Sequence, residues 1–166
     1  MKISKKGIEL LKHFESYEMR AYTCPAGVWT IGWGFTQING MKVKKGDIMP
    51  LEVADIELKR QLRTYENVVK KVIMIKKINQ NQYDALVSLC YNIGGSSFRK
   101  SDIVNLVNSR NFIGACRIFN LWSKVAKKRS KGLLRRRISE RNLFCSWPDP
   151  IVKIVPENYR ETFREL

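Results

Sequence analysis

Apolar residues at steps of three and four mark most of this chain as helical. In residues 4–14, Ile8 and Leu11 share a face with Glu15, with Leu10 and Phe14 beside them, and Ser4 stands where an N-cap accepts a backbone N–H. Residues 51–73 lack Gly and Pro and repeat Leu51, Ala54, Leu58, Leu62, Tyr65, Val69 and Val72. That spacing predicts one helix of roughly 33 Å at 1.5 Å per residue, with Pro50 suited to its first turn. Residues 79–93 form an apolar helical run that stops at Gly94-Gly95. Shorter helices are predicted near 101–109 and 111–122, and a last one over about 133–144, ended by Trp147-Pro148-Asp149-Pro150. In the tail, Tyr159, Phe163 and Leu166 fall at helical spacing.

Residues 24–43 break this rhythm. Cys24-Pro25-Ala26-Gly27 reads as a turn, and the stretch 28–36 is rich in β-formers but carries Gly32 and Gly34. Glycines inside a strand signal a bend, or a backbone that a ligand approaches closely. Asn39-Gly40 is a hairpin turn signal with Met41-Lys42-Val43 returning. The prediction is a small, twisted antiparallel sheet.

Composition places the chain among globular proteins, at 44% hydrophobic and 28% charged over 166 residues, and no apolar run reaches the ~18–20 residues of a membrane span. The basic start (Lys2, Lys5, Lys6) resembles the beginning of a secretory signal, but Glu9, Lys12 and His13 interrupt the apolar run that must follow. The expectation is a chain kept in the cytoplasm until something releases it. The formal net charge of +16 attracts polyanions, of which nucleic acid and the anionic bacterial envelope are the two to weigh. Seven basic residues crowd into eleven positions at Lys127, Lys128, Arg129, Lys131, Arg135, Arg136 and Arg137. No RRM, helix-turn-helix or zinc-finger pattern accompanies them, so a specific nucleic-acid partner is not expected. Cys24, Cys90, Cys116 and Cys145 contain no CxxC pair, and His13 is the one histidine, which argues against a metal site. In a reducing compartment the four read as free thiols, with Cys90 and Cys116 in the core and Cys145 near Trp147.

Glu15 is the first candidate for chemistry. It closes a helix with an apolar face and precedes the glycine-rich sheet. A helix C-terminus carries partial negative charge, which favours the protonated carboxyl that a general acid needs.

The spacing Glu15, eight residues, Cys24, five residues, Thr30 resembles the phage-type lysozyme family, the endolysins of the T4-like and lambdoid group (glycoside hydrolase family 24). The segment Gly27-Val28-Trp29-Thr30-Ile31-Gly32-Trp33-Gly34-Phe35-Thr36 is similar to the family's G-V-W-T-I-G-Y-G-H-T. Gln82-Tyr83-Asp84-Ala85-Leu86-Val87-Ser88 with Tyr91-Asn92-Ile93-Gly94 is similar to its Q-x-D-A-L-V-S…F-N-x-G helix, and Gly132 to Glu140 to its G-L-x-x-R-R-x-x-E helix. The three blocks keep family order and span about residues 3–145.

The resemblance implies an α+β, lysozyme-like and mainly helical fold. A small antiparallel sheet lobe (about 15–50) is joined by a long helix (about 51–73) to a helical lobe (about 74–147, with helix 4–14), and residues 148–166 extend beyond the domain of 1–147. It implies hydrolysis of the β-1,4 bond between N-acetylmuramic acid and N-acetylglucosamine in bacterial peptidoglycan, by a monomer without cofactor that is released to the wall through a holin-type pore-former. Glu15 is then the proton donor, Cys24 takes the place of the second catalytic group, and Thr30 helps to hold the attacking water. Gly32 and Gly34 fit a cleft floor, and Arg136 and Arg137 support the site, with Arg136 the one expected to reach Glu15. Two positions depart from the family pattern: Cys24 stands where many members have Asp, and Phe35 where many have His. Cys24 is open to three roles: base, nucleophile or packing residue. A wall-binding protein with a dead site is the alternative function, and a basic nucleic-acid-binding protein the third.

Overall fold

A computed structural model describes residues 1–146 apart from 25, 126 and 127. Pro25 of the expected turn, Lys127 of the basic run and the tail with Trp147 and its predicted helix lie outside the described residues.

The order is α1 (Lys5–Glu15), β1 (Glu18–Thr23), β2 (Trp29–Gly32), β3 (Gln37–Ile38), β4 (Met41–Lys42), α2 (Leu51–Val72), α3 (Gln80–Ile93), α4 (Gly95–Arg99), α5 (Asp102–Asn108), α6 (Phe112–Ile118), a 3-10 turn (Phe119–Ser123), β5 (Lys124–Val125), β6 (Lys128–Arg129) and α7 (Lys131–Cys145). The fold is mainly helical with small antiparallel strand pairs, as the sequence predicts.

Helix α3 is the axis of the helical lobe. A capping box starts it: Gln82 N–H donates to Asn79 Oδ1 at 2.8 Å, and Asn79 N–H to Gln82 Oε1 at 3.0 Å. Residues 82–90 are buried without interruption, so α3 is enclosed all round by its neighbours. Helix α1 docks on it through Ser4, whose backbone N–H donates to Asp84 Oδ1 at 2.9 Å and whose hydroxyl donates to Asp84 Oδ2. Helix α2 buries Ala54, Leu58, Leu62 and Val69 on one stripe, while Leu51 stays exposed.

The sheet lobe differs from the sequence reading in its pairing. The stretch 28–36 is not one strand. β2 pairs antiparallel with β1, Tyr22 opposite Thr30 and Thr23 opposite Trp29, and the chain then turns tightly through Gly32 and Gly34 so that Ile31 and Phe35 exchange backbone bonds at 2.8 and 2.9 Å. The hairpin at Asn39-Gly40, both left-handed (φ 50 and 80), joins β3 to β4 instead.

Three further differences follow from forces that the pattern does not display. Helix α3 does end at Gly94, but α4 begins at once on Gly95. Lys128 and Arg129 of the basic run form β6, paired antiparallel with β5, before Ser130 caps α7, accepting from Leu133 N–H at 3.3 Å. The free-thiol expectation is corrected at two positions: Cys116 of α6 and Cys145 at the end of α7 form a disulfide, their Cα atoms 6.3 Å apart. The core face between α6 and α7 brings these cysteines together from 29 residues apart. Cys24 and Cys90 are free, and burial pushes the Cys90 thiol up to about 12.

Candidate active site

Glu15 is the last residue of α1. Ser16 ends the helix with φ 51, and the Glu15 side chain, 18% exposed, meets Nη1 of Arg136 from α7. Arg136 is itself held from behind. Its Nε donates to Glu140 Oε1 at 3.0 Å, and Glu140 accepts from the Ser88 hydroxyl of α3 at 2.6 Å and from Arg137 Nη2 at 3.2 Å. Arg137 Nε lies 3.0 Å from Glu140 Oε2 without hydrogen-bond alignment, a purely ionic contact, while its Nη2 donates to Asn92 Oδ1 at 2.8 Å. The carboxyls of Glu15 and Glu140 and the guanidiniums of Arg136 and Arg137 thus meet in one cluster. Burial lowers the Arg137 guanidinium to about 10, which leaves it charged at neutral pH. Burial pushes the Glu140 carboxyl up, and Arg137, then Arg136 and the Ser88 hydroxyl, oppose that push.

In front of Glu15 opens a cleft of about 470 Å³. The sheet lobe supplies Gly34 through Gln37 and Gly40, α2 supplies Arg60, Gln61, Thr64 and Tyr65, and α3 supplies Tyr91 and Asn92. Gly34 sits at φ 89, and a Cβ there would lie 3.2 Å from Glu15 Oε2. The absent side chain therefore leaves the face of the carboxyl open. The Tyr91 hydroxyl donates to the Trp33 carbonyl at 3.1 Å and its ring meets Tyr65 edge-on at 5.0 Å, tying the two lobes at the cleft base. Burial, then the Glu15 charge, raises the Tyr91 phenol well above its ordinary value, so it stays a neutral donor.

Cys24 and Thr30 come together on the β1–β2 hairpin. Cys24 follows β1, accepts through its carbonyl from Gly27 N–H at 2.8 Å and donates its own N–H to the Val28 carbonyl at 3.0 Å. The Val28 and Ala26 amides, and after them the Thr30 hydroxyl, hold the half-buried Cys24 thiol below its ordinary value, with partial burial opposing them. Thr30 is 4% exposed, and its hydroxyl can also donate to the Val28 carbonyl at 3.0 Å, so its single proton serves one acceptor at a time.

A model of the phage lysozyme family matches residues 12–140. The chain belongs to the phage lysozyme family. It is a lysozyme, an enzyme that hydrolyses peptidoglycan. The endolysin of Salmonella phage P22 is 39% identical over 147 residues, covering 88% of this chain and 99% of that protein. The endolysin of Acyrthosiphon pisum secondary endosymbiont phage 1 is 37% identical over 150 residues, with the same coverage. Among solved structures, an endolysin from Escherichia coli O157:H7 phage FAHEc1 superposes with a TM-score of 0.83 at 34% identity, covering 90% of this chain and 98% of that one. A mutant of P22 lysozyme superposes at 0.78 and 38% identity, covering 88% and 99%.

The remaining site residues of this lysozyme fall in distinct places. Gly34 faces Glu15, and Arg136 is the arginine of the 135–137 run that reaches it. Arg137 is wholly buried and touches Asn92 and Glu140. Gly32, at φ 62, does not line the cleft: a Cβ there would lie 2.9 Å from Met49 Sδ and from the Phe35 ring, so this glycine serves the close packing of the sheet lobe. Phe35 is part of that packing at 2% exposure, and the ion pair tying α1 to α2 is made elsewhere. Lys12 Nζ lies 2.6 Å from Asp55 Oδ2, while Asp55 Oδ1 accepts from Trp33 Nε1 at 2.9 Å. Burial acts to raise the Asp55 carboxyl, and the bonds from Lys12 and Trp33 outweigh it, so the carboxyl sits below its ordinary range. Arg60, Gln61 and Tyr65 line the cleft without any sequence motif to mark them. On α2 the spacing of Arg60 and Gln61 matches any solvated face and Tyr65 falls on the apolar stripe, so only the placement of the sheet lobe opposite makes them a wall. No helix among the described residues is long and apolar enough to cross a membrane, and no group of three or more His, Cys, Asp or Glu among them is arranged to hold a metal.

Proposed function

We propose that Glu15 is the general acid and Cys24 the general base in cleavage of the β-1,4 bond from N-acetylmuramic acid to N-acetylglucosamine in bacterial peptidoglycan. The observation that carries this reading is the Glu15 carboxyl in the cleft, anchored by Arg136 and left open by Gly34. A glycan lying there presents its glycosidic oxygen to Glu15, which gives its proton to that oxygen as the bond to the anomeric carbon breaks. A positioned acid contributes ~10²–10⁴-fold. The lowered thiol of Cys24 supports its part: as thiolate it takes a proton from a water held at the Thr30 hydroxyl, and the water oxygen bonds to the anomeric carbon. Glu15 ends as the carboxylate, stabilised by Arg136, and Cys24 as the thiol; exchange with solvent resets both.

On this reading the enzyme is made in the host cytoplasm, works as a monomer, and reaches the wall once a holin-type pore-former opens the membrane. That route rests on the resemblance of its motifs. The chemistry is tested by digesting purified peptidoglycan, reducing the fragments with borohydride and weighing them. New ends on muramic acid are expected. New ends on glucosamine, or cut peptide bonds, overturn the assignment.

A further inference from the structure

The α2 wall of the cleft carries an arginine that is fixed, unlike an ordinary surface arginine. Arg60 Nε and Nη2 donate to Oε2 and Oε1 of Glu57, both at 2.7 Å. Glu57 is 6% exposed and accepts a third bond, from Gln61 Nε2, at 2.7 Å. Gln61 in turn donates to the Gln37 carbonyl at 3.1 Å, so the assembly is tied to the β3–β4 hairpin across the cleft. The arginine side chain is nevertheless half exposed (50%) and lines the cavity that contains Glu15.

These bonds use two of the five guanidinium donors. Among the described residues Nη1 meets no protein acceptor. A guanidinium held flat by one carboxylate, with donors left over on a residue that lines a cleft, suits a second planar oxyanion that can take two N–H bonds. Sugar hydroxyls do not present such a group. The peptide stems of peptidoglycan do, through their carboxylates. Glu57 offsets the charge of Arg60, but exposed Lys59 and Arg63 flank it on α2 and the whole chain is at +16, so the local field still draws an anion.

We propose that Arg60, oriented by Glu57 and Gln61, is a specificity subsite that binds a stem-peptide carboxylate of the substrate. The proposal rests on the reading of the cleft as a peptidoglycan site. The subsite ranks stem-bearing strands above neutral strands of the same sugars by lowering KM, and it leaves the bond-breaking step to Glu15 and Cys24.

The test uses soluble peptidoglycan fragments, either native or with their carboxylates capped as methylamides by carbodiimide coupling to methylamine. Wild type, Arg60→Gln, Arg60→Lys and Lys70→Gln are compared. Lys70 is exposed, lies ten residues further along α2 and outside the cleft lining, and controls for the loss of one positive charge. A charge-assisted, partly solvated contact predicts that capping raises the wild-type KM by about tenfold with kcat within twofold. Arg60→Gln is expected to show that raised KM on native fragments and no further response to capping. Arg60→Lys, a point charge without the fork, falls between, and Lys70→Gln follows wild type. An Arg60→Gln enzyme with wild-type KM, or one that responds to capping as wild type does, overturns the subsite alone. A wild type that leaves native fragments uncut overturns the peptidoglycan reading and the subsite with it.

Discussion

Glu140→Gln is the sharpest test of the buried charge cluster that anchors Glu15. The Glu140 and Arg137 side chains have no exposed surface and Arg136 has 4%, so the three charges interact with one another and hardly with water. The amide removes the one fully buried carboxylate of the cluster, which among the described residues is the only one paired with Arg137. Breaking a buried pair by removing one partner costs about 3–5 kcal/mol. Gln keeps the shape and can still accept from Ser88 or from Arg136, which places the expected loss near the lower bound, about 3 kcal/mol. For a chain of this size that is a fall in Tm of roughly 6–12 °C. Urea unfolding followed by circular dichroism measures it. Adding Arg137→Met removes the orphaned cation, so the double variant is expected to regain about 1 kcal/mol or more over Glu140→Gln alone. A loss below about 1 kcal/mol in the single variant, or strict additivity in the double, refutes the buried-cluster argument.

Cys24→Ala is expected to lose most activity on peptidoglycan, Cys24→Asp to keep much of it, and alkylation of Cys24 to abolish it. A base must be unprotonated, so wild-type activity should fall as pH drops through the lowered thiol value, and the acid limb should move further down in Cys24→Asp. Full activity in Cys24→Ala reduces Cys24 to packing, and a glycosyl thioether seen by mass spectrometry makes it a nucleophile instead. Gly34→Ala combines a positive φ with a Cβ 3.2 Å from Glu15 Oε2, so it should cost about 1–2 kcal/mol of stability and tenfold or more in kcat; an unaffected kcat refutes the open-face argument. Reduction of Cys116–Cys145, or Cys116→Ser, should lower stability by ~3–4 kcal/mol on the chain-entropy account of a 29-residue separation, and an unchanged Tm under dithiothreitol contradicts it.

The legible parts of the molecule are those where one local rule decides. Helix α2 shows itself because no Gly or Pro interrupts a long run of three- and four-residue steps, and Asn39-Gly40 because few other pairs accept that turn. Strand β1 stayed hidden because Glu18–Thr23 is exposed on both faces, so no alternation marks it. Strand β6 is only two residues long and lies inside a charge run, so no alternation marks it. The pairing of Cys116 with Cys145 depends on how α6 meets α7, which neither their spacing nor the expected compartment reveals. Within the site, Glu15, Gly34 and Arg136 lie in blocks whose spacing identifies them. Arg60 and Glu57 form an i, i+3 pair indistinguishable in sequence from a solvated helix face, and Gly32 resembles Gly34 although its missing side chain makes room for Phe35 and Met49.

The claim that Glu15 supplies the proton is tested most directly by the turnover of Glu15→Gln on purified peptidoglycan, with circular dichroism confirming the native fold. Gln fills the same space, accepts from Arg136 and has no acidic proton to give. The account predicts a folded protein whose kcat is down by ~10²–10⁴-fold. A folded Glu15→Gln enzyme that clears peptidoglycan at the parental rate contradicts it.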